Sequence, residues 1–303
     1  MNIGRTYNTM ATFSKNLKRF RIAKNMTQGQ VADLLGVSAQ SVSRWECNIV
    51  LPDVTILPEI ARLYCVSIDD FYKENSIIYE SYAQMLGSIY QTTHKLEDYL
   101  RADGEYKELI RLGNATMQDF LSYGILNQYM MKDCFDKAIS LYMHVLQRNS
   151  DEDPEVYQKT QLQNIYLQCQ MGKNEEIITR QLKQLNENTQ DANEWINLIA
   201  AYMFSRKYQE AAVWAENAME KFPQNVILHV FCGDVYRGLQ QYEKAFEHWN
   251  LALMMDSTCV DALYSKGYCY EEIGEYQKAY ETWRQLAEIP GVNEGIRKLV
   301  NTL

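Results

Sequence analysis

Residues 27–46 read Thr27-Gln28-Gly29-Gln30-Val31-Ala32-Asp33-Leu34-Leu35-Gly36-Val37-Ser38-Ala39-Gln40-Ser41-Val42-Ser43-Arg44-Trp45-Glu46. Thr27 and Gln30 have the spacing of a capping box, which predicts a helix over Gln28–Leu35. Gly36 permits a sharp turn, and Ser38 is placed to cap a second helix that runs to about Glu46. Before this pair, Phe13, Leu17, Phe20 and Ile22 mark the apolar side of a first helix, with Lys15, Lys18, Arg19, Arg21 and Lys24 around the rest. After it, Thr55 is placed to cap a fourth helix to about Tyr64, leaving Pro58 in the first turn, where proline is tolerated. Ser67 and Asp70 form a further box for a short fifth.

The charge follows the same division. Residues 1–52 hold seven basic and two acidic side chains, whereas residues 73–303 hold 22 basic and 33 acidic ones. A basic head on an acidic body is the asymmetry of a protein that meets a polyanion at one end. The whole chain of 303 residues is 47% hydrophobic, which excludes wholesale disorder, and its five prolines and 14 glycines are few for an all-β protein. Apolar runs are far shorter than the roughly 18 residues of a membrane span, and Met1 to Ser14 hold no apolar leader core, so the expectation is a cytoplasmic protein away from membranes. The seven cysteines are scattered without a C-x-x-C pair and read as ordinary buried thiols, with no metal site.

Two helices of about eight residues across a short turn make a helix-turn-helix. Thr27-Gln28, Val31-Ala32, Leu35-Gly36-Val37-Ser38, Gln40-Ser41-Val42-Ser43-Arg44-Trp45-Glu46, then Leu51-Pro52-Asp53 and Val66-Ser67-Ile68-Asp69-Asp70-Phe71, resemble the Cro/phage-repressor (Xre) helix-turn-helix family over about 60 residues. Asn48 departs from the family's usual glycine, but asparagine also tolerates a left-handed backbone. The resemblance implies a five-helix DNA-binding domain whose third helix enters the major groove of double-stranded DNA. Its solvent side then shows Ser38, Ala39, Gln40, Ser43 and Arg44, while Val42 and Trp45 face inward. Gln40 suits adenine N6/N7, Arg44 suits guanine O6/N7 and Ala39 a thymine methyl. By family position Gln28 sits at a helix N-terminus against a phosphate, and Lys18 and Arg21, with Arg19 and Lys24, add attraction without sequence preference. Glu46 is expected to pair within the domain with a basic residue of the first helix.

Residues 74–118 carry helical periodicity through Ile78, Tyr82, Leu86, Ile89 and Tyr90, with Ala102-Asp103-Gly104 read as a turn and Gly113-Asn114 as a helix stop, and so predict a helical connector. From about residue 190 a period of 34 sets in. Tyr202, Tyr236 and Tyr270 share a frame, as do Tyr208, Tyr242 and Tyr276, and Ala211, Ala245 and Ala279. Trp249 and Trp283 share a frame with Ala215, and Gly233 and Gly267 share one with Ile199. These residues resemble the tetratricopeptide (TPR) repeat, in which small residues stand where paired helices touch and aromatics fill between repeats. The match is clear over 191–290. Gly172 with Ile177, and Tyr129 with Phe135 and Ala138, mark two degenerate copies upstream, and a short capping helix is expected near 293–302. The chain is thus expected to be all-α: a helix-turn-helix domain over 12–73, a connector over 74–118 and a TPR-like α-solenoid over 119–303.

In the TPR family the first helix of each pair lines the groove, which implies Asn193, Asn197, Asp234, Arg237, Tyr264 and Tyr268 as groove residues for an oligopeptide or protein ligand. In layout the chain is similar to the Rgg/PlcR-like regulators, which implies a homodimeric transcriptional regulator on a short inverted-repeat operator. An alternative is an interaction scaffold whose head only localises a partner. Catalysis is not expected: His94, His144, His229 and His248 stand apart in sequence, none of the usual hydrolase, zincin or phosphate-loop motifs occurs, and nothing calls for a cofactor.

Overall fold

The computed structural model describes residues 3–291, with side chains described from residue 10. Every regular element among the described residues is helical. The chain divides into two compact units, Met1–Asp136 and Lys137–Leu303. The capping helix expected near 293–302 lies outside the described residues.

In the first unit, α1 (Ile3–Ala23), α2 (Gln28–Leu35), α3 (Ala39–Glu46), α4 (Leu57–Tyr64) and a 3-10 turn over Ile68–Tyr72 enclose one core. The local signals set most of these boundaries. Thr27 and Gln30 form the capping box of α2, Gly36 is left-handed at φ 64°, and Ser38 caps α3 by accepting from the Ser41 amide. Asn48 takes φ 58°, the left-handed role expected of it. Thr55 does not cap α4; Ile56 holds that position without a side-chain bond, and the Thr55 amide and hydroxyl instead donate to Asp53. Phe13, Leu17, Phe20, Val31, Val42, Trp45, Ile60, Tyr64 and Phe71 fill the core. Ile22 is 56% exposed: two residues past Phe20, it is turned about 200° from the stripe that Phe13, Leu17 and Phe20 define.

The same unit continues through α5 (Tyr82–Thr93), α6 (Leu96–Arg111) and the start of α7 (Met117–Leu146). Ala102-Asp103-Gly104 is not a turn but the middle of α6. Asp103 is held there by Lys107 one turn on and by the Tyr123 hydroxyl, and Ala102 and Tyr106 are buried against α5 and α7. Gly113, at φ 70°, does follow the helix end. Asp119 ties the first turns of α5 and α7 together: one carboxyl oxygen accepts from Ser81 and Gln84, the other from the Thr116 amide and hydroxyl.

Among the described residues the second unit holds, beyond the end of α7, four helix pairs: α8 (Pro154–Gln170) with α9 (Asn174–Glu187), α10 (Ala192–Phe204) with α11 (Tyr208–Lys221), α12 (Val226–Gly238) with α13 (Tyr242–Met255), and α14 (Val260–Glu272) with α15 (Tyr276–Ala287). The three clear repeats and the degenerate copy around Gly172 are therefore helix pairs. Tyr129, Phe135 and Ala138 are not; all three lie on the single helix α7, where nothing interrupts the 3.6-residue periodicity. The repeating Ala211, Ala245 and Ala279 are buried, as are Trp249 and Trp283. Five cysteines are buried, but Cys47 and Cys134 are exposed, since each lies on the solvent side of its helix or helix end.

Candidate nucleic-acid interface

Local sequence makes α3 a helix, and Val42 and Trp45, 0% and 7% exposed, lock one face of it into the head's core. That orientation leaves Ser38, Ala39, Gln40 and Arg44 exposed and Ser43 half-buried. Among the described residues the side chains of Gln40 and Arg44 make no hydrogen bond, ion pair or ring contact, so their donors and acceptors are open to an incoming base edge. Ser38 is otherwise occupied in part: its hydroxyl accepts from the Ser41 amide at 3.1 Å and lies 2.8 Å from the Ser41 hydroxyl.

Behind this face sits a buried polar cluster. Glu46 accepts Arg21 Nε at 2.6 Å, Arg21 Nη2 at 2.9 Å and Gln28 Nε2 at 2.8 Å. Burial opposes ionisation of Glu46, but the Arg21 and Gln28 bonds outweigh it and hold the carboxyl below the usual range. Arg21 Nη1 adds a bond to the Met26 carbonyl at 2.8 Å. The pair fixes α3 against α1, and Gln28 brings in the start of α2.

This placement changes the reading of the basic residues. Arg21, expected to attract phosphate, has its guanidinium turned onto Glu46 with only 12% of its side chain exposed. Arg19 donates to the carbonyls of Glu74 and Ser76, and Lys24 to those of Tyr79 and Glu80. Lys18 stays exposed. Gln28 keeps its position at the start of α2, with its amide donor engaged on Glu46. The sequence reading also missed Asn16, whose buried side chain donates to the carbonyls of Phe71 and Lys73 at 2.9 and 2.7 Å. Together Asn16, Arg19 and Lys24 hold residues 70–80 along α1. Only the apolar-versus-polar pattern of α1 was readable, and a solvated charge and one that clasps a distant carbonyl look alike in it.

The six groove residues do not gather in one place. Asp234 and Tyr264 line a cavity of about 560 Å³ walled by α8, α10, α12 and α14, the first helix of each pair. Asp234 and Arg237 line an adjoining one of about 300 Å³, which shares Met203 and Phe204 with it. Asn197 lies in a third of about 230 Å³; it is 1% exposed and its amide is bonded to Gln158 and Gln161. Asn193 is exposed and lines none of these. Tyr268 packs edge-on against Trp283, 4.9 Å between ring centres, and also lines none of them. The oxygen Oδ1 of Asp234 is buried and has no hydrogen-bond partner among the described residues, and burial pushes the carboxyl up to about 6.

No helix among the described residues is long and apolar enough to cross a membrane, and no group of three or more potential metal ligands comes together among them. Residues 17–71 match the protein-family model described as Helix-turn-helix. The head is accordingly a helix-turn-helix domain. Over 66 residues the chain is 33% identical to the HTH-type transcriptional activator BcrR of Enterococcus faecalis, a stretch that is 22% of this chain and 32% of that protein. The chain thus matches about a third of that relative's length. Among solved structures it is similar to a thermophilic TPR protein of Thermus thermophilus, at 16% identity over 65% of this chain and 97% of that one, with a TM-score of 0.45. It is also similar to Bacillus thuringiensis PlcR in complex with the peptide PapR7 and DNA, at 16% identity over 96% of this chain and 98% of that one, with a TM-score of 0.40.

Proposed function

We propose that this protein is a sequence-specific DNA-binding transcriptional regulator that acts as a homodimer on a short inverted repeat. The observation that carries this reading is the exposed edge of α3: Gln40 and Arg44 have no partner among the described residues, on a helix whose opposite face is locked into the core by Val42 and Trp45. A rigid helix with open bidentate donors is what major-groove readout requires. The helix-turn-helix family match and the regulator named among the relatives support the same reading. Ser38, Ala39 and Ser43 would complete the contact, with Gln28 and Lys18 at the phosphates. Arg21 would act behind them, by orienting α3. A two-fold dimer would set two such helices about 34 Å apart, or a multiple of that, in successive major grooves. The solenoid unit would dimerise and receive a ligand, and any ligand that alters DNA affinity must have its own affinity altered by DNA to the same degree.

The test is a binding selection from random duplex DNA with the full-length protein at fixed salt. An enriched inverted repeat is expected. Weak, salt-sensitive binding with no enriched sequence would overturn the reading in favour of a scaffold whose head only localises a partner.

A further inference from the structure

The 560 Å³ cavity of the solenoid unit has a composition that selects its occupant. Tyr166, Phe204, Phe231 and Tyr264 supply aromatic walls, and Asp234 and Asp261 supply carboxyls. Lys159 is the cation among the lining residues, and its Nζ lies 2.5 Å from Glu155 Oε1, so it is already paired. Arg237 stands one turn along α12 from Asp234, but its guanidinium is directed to Glu272 at 3.9 Å. The cavity is therefore acidic, apolar and within the size range of small-molecule sites.

Asp234 is the group the rest of the fold does not account for. Its Oδ1 is buried without a hydrogen-bond donor among the described residues, a costly state for a carboxylate. Burial, with the nearby Asp261, raises the carboxyl's affinity for a proton by more than hydrogen bonding from Ser265 and Trp249 and the charge of Arg237 lower it, which is the response of a group whose charge is not fully compensated. A cation entering from the cavity would supply the missing counter-charge, and the aromatic walls would attract the same cation through their ring faces.

We propose that this cavity binds a small primary amine, an ammonium on an apolar or aromatic body, with Asp234 as its counter-ion. Asp261 adds negative potential, and the body lies among Tyr166, Phe204, Phe231 and Tyr264. The site deepens the reading of the solenoid as a receiving unit, yet its chemistry does not depend on DNA binding.

The experiment titrates the full-length protein, without DNA, with phenethylamine and with its neutral counterpart 2-phenylethanol. Phenethylamine is expected to bind at least about tenfold more tightly, a gap of one charge-assisted contact, and Asp234→Asn, which keeps the side-chain shape, should remove the difference. Equal affinities, no binding of phenethylamine, or a preference that survives Asp234→Asn would each overturn the proposal. So would binding of an N-acetylated triphenylalanine peptide, which has no ammonium, without binding of phenethylamine, which would assign the cavity to peptides. Operator binding by the same preparation is measured separately, so failure of the amine site and failure of the regulator reading are distinguishable.

Discussion

Gly233 and Trp249 are packed so closely that a β-carbon on Gly233 would lie 2.3 Å from the indole Nε1. The indole is fully buried, and its N–H donates to the Val230 carbonyl at 3.3 Å, so it has no room to withdraw. One period later Gly267 and Trp283 repeat the contact at 2.7 Å. Gly233→Ala should therefore cost about 1–3 kcal/mol by overpacking, or more if the indole loses its bond. Urea unfolding followed through the solenoid's helix content would show a lowered midpoint; an unchanged midpoint would mean that α12 and α13 separate more easily than their packing implies.

Glu46 holds two cationic or polar partners from α1 and α2 with 1% of its side chain exposed. Removing it leaves Arg21 buried without a counter-charge. Glu46→Ala should destabilise the head by about 3–5 kcal/mol, toward the lower end because Arg21 reaches some solvent. Thermal unfolding of the variant checks this, and a head as stable as wild type would show that Arg21 finds water instead.

Arg44 and Lys18 are both exposed but should fail differently. Arg44→Ala should lose about 1–3 kcal/mol of discrimination at one base in each half-site. Lys18→Ala should weaken all sequences alike and reduce the salt slope of binding by about one. Affinities on a set of single-base operator variants at several salt concentrations separate the two. Uniform weakening by Arg44→Ala would place α3 in a different register on the DNA.

His229 and His248 face each other across α12 and α13 with their Nδ1 atoms 3.1 Å apart, while His229 Nε2 donates to the Pro223 carbonyl at 3.1 Å. That leaves His229 Nδ1 as the acceptor for an N–H of His248. Burial, then His229 and Lys244, lower His248 to about 4, whereas an unfolded histidine titrates near 6.5. A depressed folded value means the stabilisation is complete above pH ~6.5 and is lost as pH falls toward ~4, by about 1–2 kcal/mol because solvent reaches part of the imidazole. Comparing unfolding midpoints at pH 7.5 and 4.5 for wild type and His248→Gln tests it: the wild-type loss should exceed the variant's.

What the sequence determined by itself is what neighbouring residues decide. Thr27 with Gln30, Gly36 and Ser38 set the ends of α2 and α3, because a cap acts within one helical turn. The 34-residue recurrence of Tyr, Ala, Gly and Trp announced the helix pairs, because each repeat solves the same packing problem. Where a local signal pointed the wrong way, at Ala102-Asp103-Gly104, distant burial of Ala102 and Tyr106 decided for helix.

The tertiary structure alone decided which polar groups are available. Arg19, Arg21 and Lys24 look as free in the sequence as Lys18, yet each is bound to a carbonyl or carboxylate at least 25 positions away, as Arg21 is to Glu46. It likewise decided that Asp234 would stand in a cavity with one carboxyl oxygen unpartnered among the described residues while Asn197, expected on the same groove, would be buried and satisfied. A side chain's type states what bonds it can form; whether they are already formed depends on parts of the chain that only folding brings together.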